Sequence, residues 1–354
     1  PSDVELGETV RGVIERVEAT APVRVVLDSL SELRLLAQNP LRYRRQILAL
    51  KHFFARRNCT VFVLDDRTAE PEDLQLHSIA HGVISLEQLA NDFGAERRCL
   101  RVVKMRGLKY RGGYHDFTIE HGGICVYPRL VASDHHRSFS VEPVTTGLPG
   151  LDALLGDGLN PGTNALLTGP AGVGKTTTAV RCLIAALKRG QNAAYYLFDE
   201  RLSTLMLRSR ALGMDLQPYI DNGQLMIRQI DPAELSPGEF ASAVRVAVEE
   251  DSATVVVIDS LNAYLHAMPS DNFLVLQMHE LLSYLSQQGV VTLMILGQHG
   301  VMGELRSDVD ISYLADTVML LRFFEAQGQV RKSISVIKTR TSDHERTIRE
   351  FTID

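Results

Sequence analysis

The sequence predicts an α/β protein, a mainly parallel sheet flanked by helices and written twice in tandem, with the first copy incomplete. Three observations predict it. Short β-branched apolar runs alternate with stretches of helical periodicity, the pattern of parallel strands joined by crossover helices. A strand, a glycine-rich loop and a helix follow one another around Gly169 to Thr177. Four motifs of the first 120 residues return, in the same order, 231 to 234 residues later.

The repeats define the organisation. Val23-Arg-Val-Val-Leu-Asp28-Ser29-Leu30 returns as Thr254-Val-Val-Val-Ile-Asp259-Ser260-Leu261, and Val61-Phe-Val-Leu64 as Leu293-Met-Ile-Leu296. Val102-Val-Lys104-Met-Arg106 returns as Val336-Ile-Lys338-Thr-Arg340, and Phe117-Thr-Ile-Glu120 as Phe351-Thr-Ile-Asp354. At these offsets, residues 142 to about 231 would map ahead of residue 1. The chain is therefore expected to begin partway through its first copy, over residues 1–130, without a phosphate loop there.

In order, the first copy reads as a helix from Val10 to Ala19, a buried strand from Val23 to Leu27, a helix from Leu41 to Arg57, a strand from Thr60 to Leu64, and further strands from Gly82. Residues 131–141, polar and without periodicity, read as a linker. A complete second copy over 142–354 opens with Gly/Pro punctuation and then a strand from Thr163 to Thr168, the glycine-rich loop and a helix to Lys188. Strands follow from Ala193 to Phe198, Gln224 to Arg228, Thr254 to Ile258 and Val290 to Leu296. Helices from Leu202 to Leu212, Pro237 to Glu249 and Phe273 to Gln287 alternate with them, and β-rich ends run from Asp316 to Ile353.

The bulk numbers are those of a globular protein: 354 residues, enough for about two domains, with 45% hydrophobic and 23% charged residues. A formal net charge of −6 offers nucleic acid no overall attraction, so none is expected as a partner. No apolar run approaches the ~18 residues of a membrane span, and a cytoplasmic protein is expected. The four cysteines form no C-x-x-C pair, and His77 and His81 have no third ligand nearby, so no metal cage is indicated.

The stretch Gly169, Pro170, Ala171, Gly172, Val173, Gly174, Lys175, Thr176, Thr177 satisfies G-x-x-x-x-G-K-[ST]. Between strand and helix, such a loop turns its N–H groups on a nucleotide phosphate; the lysine reaches the outer phosphates and the threonine hydroxyl reaches Mg²⁺. Asp259, ending an apolar strand, suits the same Mg²⁺. Asp199-Glu200 closes the strand that follows the helix after the glycine-rich loop, where one carboxylate can aid the metal and the other orient the attacking water. Gln298 and His299 are candidates to sense the γ-phosphate, or a plain loop amide and its neighbour. Lys338 and Arg340 alternate on one strand and so share a face, as Lys104 and Arg106 do; such a pair suits phosphate oxygens of a neighbouring subunit's ATP, or surface ion pairs.

Taken together, Thr146-Gly-Leu-Pro-Gly-Leu-Asp152, the phosphate loop, Asp199-Glu200 with Leu212-Gly-Met-Asp215, Val257-Ile-Asp-Ser-Leu261, Lys338-Thr339-Arg340 with His344, and Lys104-Met-Arg-Gly107 followed by Tyr114-His-Asp-Phe-Thr-Ile119 resemble the KaiC family, a branch of the RecA-like P-loop ATPases. The resemblance implies two-tiered hexamers with ATP between subunits, slow hydrolysis, autophosphorylation and a KaiB-like regulator. By position it implies Asp199 as a Mg²⁺-associated acid and Glu200 as the catalytic base. It also implies Lys332, Lys338, Thr339, Arg340, Ser342, His344 and Arg346 as the edge reaching a neighbour's nucleotide. Clock members carry adjacent Ser and Thr phosphorylation sites where this chain has Ser312-Tyr313, which leaves Ser312 as the acceptor. A DNA-dependent ATPase on the same fold and a scaffold that uses ATP only to hold its ring remain the alternatives.

Overall fold

The computed structural model describes residues 2–37, 39–66, 74–90, 94–266, 271–298, 300 and 312–353. Two compact units emerge, one of residues 1–85 and 101–112, the other of 86–100 and 113–354. The division does not fall at 131–141, because strands of the first sequence repeat run through both units.

The first repeat contains α1 (Ser2–Thr20), β1 (Arg24–Leu27), α2 (Leu30–Ala37), α3 (Pro40–Ala55), β2 (Thr60–Val63), α4 (Leu74–Ile79), β3 (Gly82–Leu89), β4 (Arg97–Met105), β5 (His115–Glu120) and β6 (Gly123–Tyr127). Asn39 starts α3 by accepting from the Leu41 and Arg42 N–H groups, with Pro40 in the first turn, where its missing N–H costs nothing. Leu6, Val10 and Val17 of α1 close a small core with Leu30, Ala37, Tyr43, Leu50 and Phe54.

The expected buried strand from Val23 to Leu27 is corrected here: Val23 is 73% exposed and Val26 61%. The cause lies in the sheet. Among the described residues β1 pairs in parallel with β2 alone, and no further strand flanks the pair. The remaining strands, β3-β4-β5-β6, form a separate sheet whose β4–β5 and β5–β6 ladders are antiparallel.

The second repeat contains α5 (Pro149–Leu155), β7 (Asn164–Gly169), α6 (Lys175–Lys188), β8 (Asn192–Leu197), α7 (Leu202–Ala211), α8 (Gln217–Asp221), β9 (Leu225–Gln229) and α9 (Pro237–Glu249). It continues through β10 (Ala253–Asp259), α10 (Leu261–His266), α11 (Asp271–Gln287), β11 (Val291–Gly297), β12 (Thr317–Ala326), β13 (Gln329–Thr339) and β14 (Arg349–Phe351). Its eight strands take the order β14-β13-β12-β7-β11-β10-β8-β9. From β12 to β9 every pair is parallel, and β13 and β14 extend the edge antiparallel.

Both faces of this sheet are covered, which explains the unbroken apolar runs of its strands. Val255 and Val257 of β10 join the core beneath α6, while Val256 and Ile258 join the core beneath α9 and α11. β10 and β11 pair Val255 with Val291, the same register, 231 residues on, that pairs Arg24 with Thr60. Here β7 lies between β11 and β12, and that strand is what joins the two halves of the sheet. Among the described residues the first repeat has no such strand, and its strands form two separate sheets.

The segment expected as a linker is anchored. Leu130 and Ala132 are buried in the α9–α11 core, and His135 Nδ1 meets Glu249 Oε1 at 3.1 Å with its ring edge-on to Tyr284.

Candidate nucleotide-binding site

β7 delivers Gly169 to the C-terminal edge of the central strands, and α6 begins six residues later at Lys175. Gly169 is needed at its position: its φ is +151°, and a Cβ there would stand 2.2 Å from the Leu321 carbonyl oxygen. Lys175 Nζ spans the loop, donating to the Gly169 and Pro170 carbonyls at 2.8 and 2.7 Å. Burial pushes its pKa below the ordinary lysine value, and the Asp259 carboxylate opposes that shift. A lysine so placed is poised to exchange carbonyl oxygens for phosphate oxygens.

Thr176 Oγ1 donates to Asp259 Oδ2 at 2.8 Å, and Tyr195 Oη donates to the same oxygen at 2.8 Å. Asp259 is 7% exposed, and burial raises its pKa against the effect of those two hydrogen bonds. Asp199 Oδ2 accepts from Ser260 Oγ. The donor set fits Mg²⁺, a hard cation that is held by one or two carboxylates, a hydroxyl and substrate phosphates, not by a protein cage. Thr176 and Asp259, with Asp199 alongside, would hold the ion, which when bound neutralises phosphate charge.

Glu200 is held by a residue that motif reasoning missed: Arg208 Nη1 and Nη2 donate to Oε1 and Oε2, both at 2.8 Å. Tyr195 and Ser260 were missed as well. The only signal for Arg208 was its helical position after the acidic pair, and for Tyr195 the alternation of β8. Gln298 donates its N–H to Gly169 O at 3.0 Å, which sets its backbone beside the loop, and its Oε1 is buried with no hydrogen-bond partner among the described residues. His299 lies outside the described residues.

The remaining candidates divide. β12 runs parallel to β7, with Thr317 level with Ala165 and Leu320 with Thr168, and Thr339 pairs with Thr317. At ~3.3 Å per residue, Thr339 is therefore about 13 Å below the phosphate loop, at the other end of the strands. Lys338, Arg340, Ser342, His344 and Arg346 belong to that end. Lys332 does not; it pairs with Phe323, beyond the loop end of β7.

At the far end, Lys338 Nζ donates to Ala315 O at 2.8 Å and Arg340 Nη2 to Tyr313 O at 3.0 Å. The Arg340 N–H donates to Asp316 O at 3.0 Å, Thr339 Oγ1 lies 3.4 Å from Thr317 Oγ1, and Ser342 Oγ donates to Leu155 O at 3.1 Å. The first repeat duplicates the arrangement: Lys104 Nζ donates to Ala80 O at 3.0 Å, Arg106 Nη2 to Ser78 O at 2.8 Å and the Arg106 N–H to His81 O at 3.0 Å. These cations thus cap a turn in both repeats. Ser312 opens that turn in the second, Ser312–Leu314.

The family model described as "ATPase: KaiC" matches residues 3–131 and 144–354. This chain belongs to the KaiC ATPase family. Its fold is accordingly a RecA-like P-loop fold. The chain is 27% identical over 338 residues to the circadian clock protein KaiC2 of Synechocystis sp., covering 93% of this chain and 58% of that protein. With KaiC3 of the same organism it shares 24% over 358 residues, 99% of this chain and 70% of that one. With the circadian clock oscillator protein KaiC of Synechococcus elongatus it shares 27% over 263 residues, 73% and 49% of the two chains. This KaiC-family chain thus spans about half to two thirds of the curated relatives it matches. Among its described residues no helix is long and apolar enough to cross a membrane.

Proposed function

We propose that this chain binds Mg-ATP at Gly169–Thr177 and hydrolyses it, with Lys175 on the outer phosphates, Thr176, Asp259 and Asp199 on the metal, and Glu200 orienting the attacking water. Chains associate head to tail, so that Lys338, Arg340, Ser342, His344 and Arg346 of one subunit approach the nucleotide held by the next. The observation that carries this reading is the placement of loop and cations at opposite ends of the same strands, as β12 pairs with β7 and β13. One chain cannot close both on one nucleotide. Head-to-tail contacts generate rings, and a homo-hexamer under a KaiB-like regulator is the form the family resemblance favours.

Phosphate transfer to Ser312 follows the same geometry. The Ser312 turn is at the far end, next to Asp316, whose N–H donates to Asn164 O at 2.8 Å. Ser312 therefore accepts phosphate from the ATP of a neighbouring subunit and not from its own. The test is intact-mass and phosphopeptide measurement after incubation with Mg-ATP, with ADP release followed in the same tubes and Glu200→Gln in parallel. Phosphate on Ser312 that requires Glu200 supports the autokinase; ADP without phosphopeptide leaves an ATPase alone, and neither product returns the ATP-stabilised scaffold. Stimulation by single-stranded DNA would favour the DNA-dependent ATPase instead.

A further inference from the structure

Glu200 leaves β8 at the edge where the phosphate loop stands, and Arg208 lies two helical turns further on, along α7. Their four-atom contact is a parallel fork, Nη1 to Oε1 and Nη2 to Oε2, both 2.8 Å, with side chains 38% and 22% exposed. A bidentate guanidinium–carboxylate pair is the strongest and most directional of ion pairs, and it occupies one lone pair on each carboxylate oxygen. The guanidinium is also close enough to Asp259 and Tyr195 to favour their charged forms. Arg208 thus acts on the acid assigned to water by direct contact and on the acid assigned to the metal through its charge.

A base that takes a proton from water has to present an oxygen to that water, within hydrogen-bond reach and in line with the phosphorus. A carboxylate clamped in a fork has a fixed plane and a neutralised charge. The arrival of a triphosphate supplies a second anion for which the guanidinium is suited. Both groups then gain by separating.

We propose that Arg208 is a brake on hydrolysis: a positioning residue whose fork holds Glu200 out of service, loosened by bound Mg-ATP and opened fully only on the way to hydrolysis. The proposal rests on the assignment of Glu200 as the base. Part of the barrier to hydrolysis then lies within one chain, in the cost of opening this pair.

The full chain is compared with Arg208→Gln, Arg208→Lys, Glu200→Gln and the Arg208→Gln/Glu200→Gln double variant. Arg208→Gln is expected to raise kcat about three- to tenfold, a change of up to about 1.4 kcal/mol, with KM for ATP and the Kd of a fluorescent ATP analogue within about twofold. Arg208→Lys, a point charge that cannot fork, should fall between. A second readout needs no turnover: the coupling of the two substitutions in melting temperature should be present in the free protein and shrink, without vanishing, with Mg²⁺ and a non-hydrolysable ATP analogue. Turnover unchanged or reduced in Arg208→Gln, or a coupling that nucleotide leaves intact, overturns the brake. Glu200→Gln hydrolysing ATP at the unmodified rate removes the base and the brake with it, whatever the coupling shows.

Discussion

Thr176 Oγ1 and Asp259 Oδ2 are joined by a 2.8 Å hydrogen bond that spans 83 residues of sequence. It brings the end of the phosphate loop and the end of β10 to one point. Two oxygens suited to one hard cation are thereby assembled by the parallel sheet itself. Replacing Asp259 by Asn is expected to weaken the Mg²⁺-dependent part of ATP affinity by about ten- to a hundredfold and to leave the Mg²⁺-independent part within about twofold. Titration of a fluorescent ATP analogue with and without Mg²⁺ measures both parts.

The same residue should oppose stability. Burial raises the folded-state pKa of Asp259 above its ordinary 3.8, so the folded protein binds that proton more tightly than the unfolded chain does. Its contribution to stability is full below about pH 3.8 and is lost as pH rises through the folded pKa. Asp259→Asn is therefore expected to raise Tm at pH 7 by about 2–4 °C, with the gain shrinking as pH falls toward 4. Thermal melts at the two pH values decide it; an equal difference at both would sink the idea.

Lys175 holds the Gly169 and Pro170 carbonyls and would exchange them for phosphate. At ATP one hundred times Kd, a binding-competent chain gains about 2.7 kcal/mol of stability. Lys175→Ala should show no such gain, while its melting without ATP changes little.

Separation of the loop from Lys338 and Arg340 makes a mixing experiment informative. Lys175→Ala and Arg340→Ala are each expected to lose most hydrolysis. Mixed and reassembled, they should regain part of it, about a quarter of the unmodified rate where contacts form at random, because one interface in four joins an intact loop to an intact cation edge. No recovery on mixing would place both groups on the same nucleotide of one chain, against the register of β7, β12 and β13.

Gly289, just past α11, has φ +74°, and a Cβ there would lie 2.3 Å from Phe139 Cγ. Gly289→Ala should destabilise the chain by about 2–4 kcal/mol, combining the left-handed backbone with the clash. Phe139→Ala in the same chain should restore part of the loss, read as the midpoint of urea unfolding.

Much of this was legible in the residues because it is local. The glycine-rich loop is defined by spacing along a few residues, and Asp259 by its place at the end of an apolar run. The strands of the second repeat lie within a residue or two of their expected bounds, since a strand covered on both faces is written as an unbroken apolar run. The same rule failed at Val23 to Leu27, where the run is apolar but the sheet has two strands among the described residues, and Val26 stays exposed.

The sequence by itself determined the strand, loop and helix around Lys175, the carboxylates at strand ends and the duplication, because each is a pattern of neighbours along the chain. Tertiary structure alone decided that Lys332 and Lys338, six residues apart on β13, lie at opposite ends of the site's strands. It also decided that Tyr195 serves Asp259 and that Arg208 takes both oxygens of Glu200. The physical reason is that hydrogen-bond register between distant strands, and the side of a helix turned toward a strand end, are set by packing across the whole sheet and have no short-range signature.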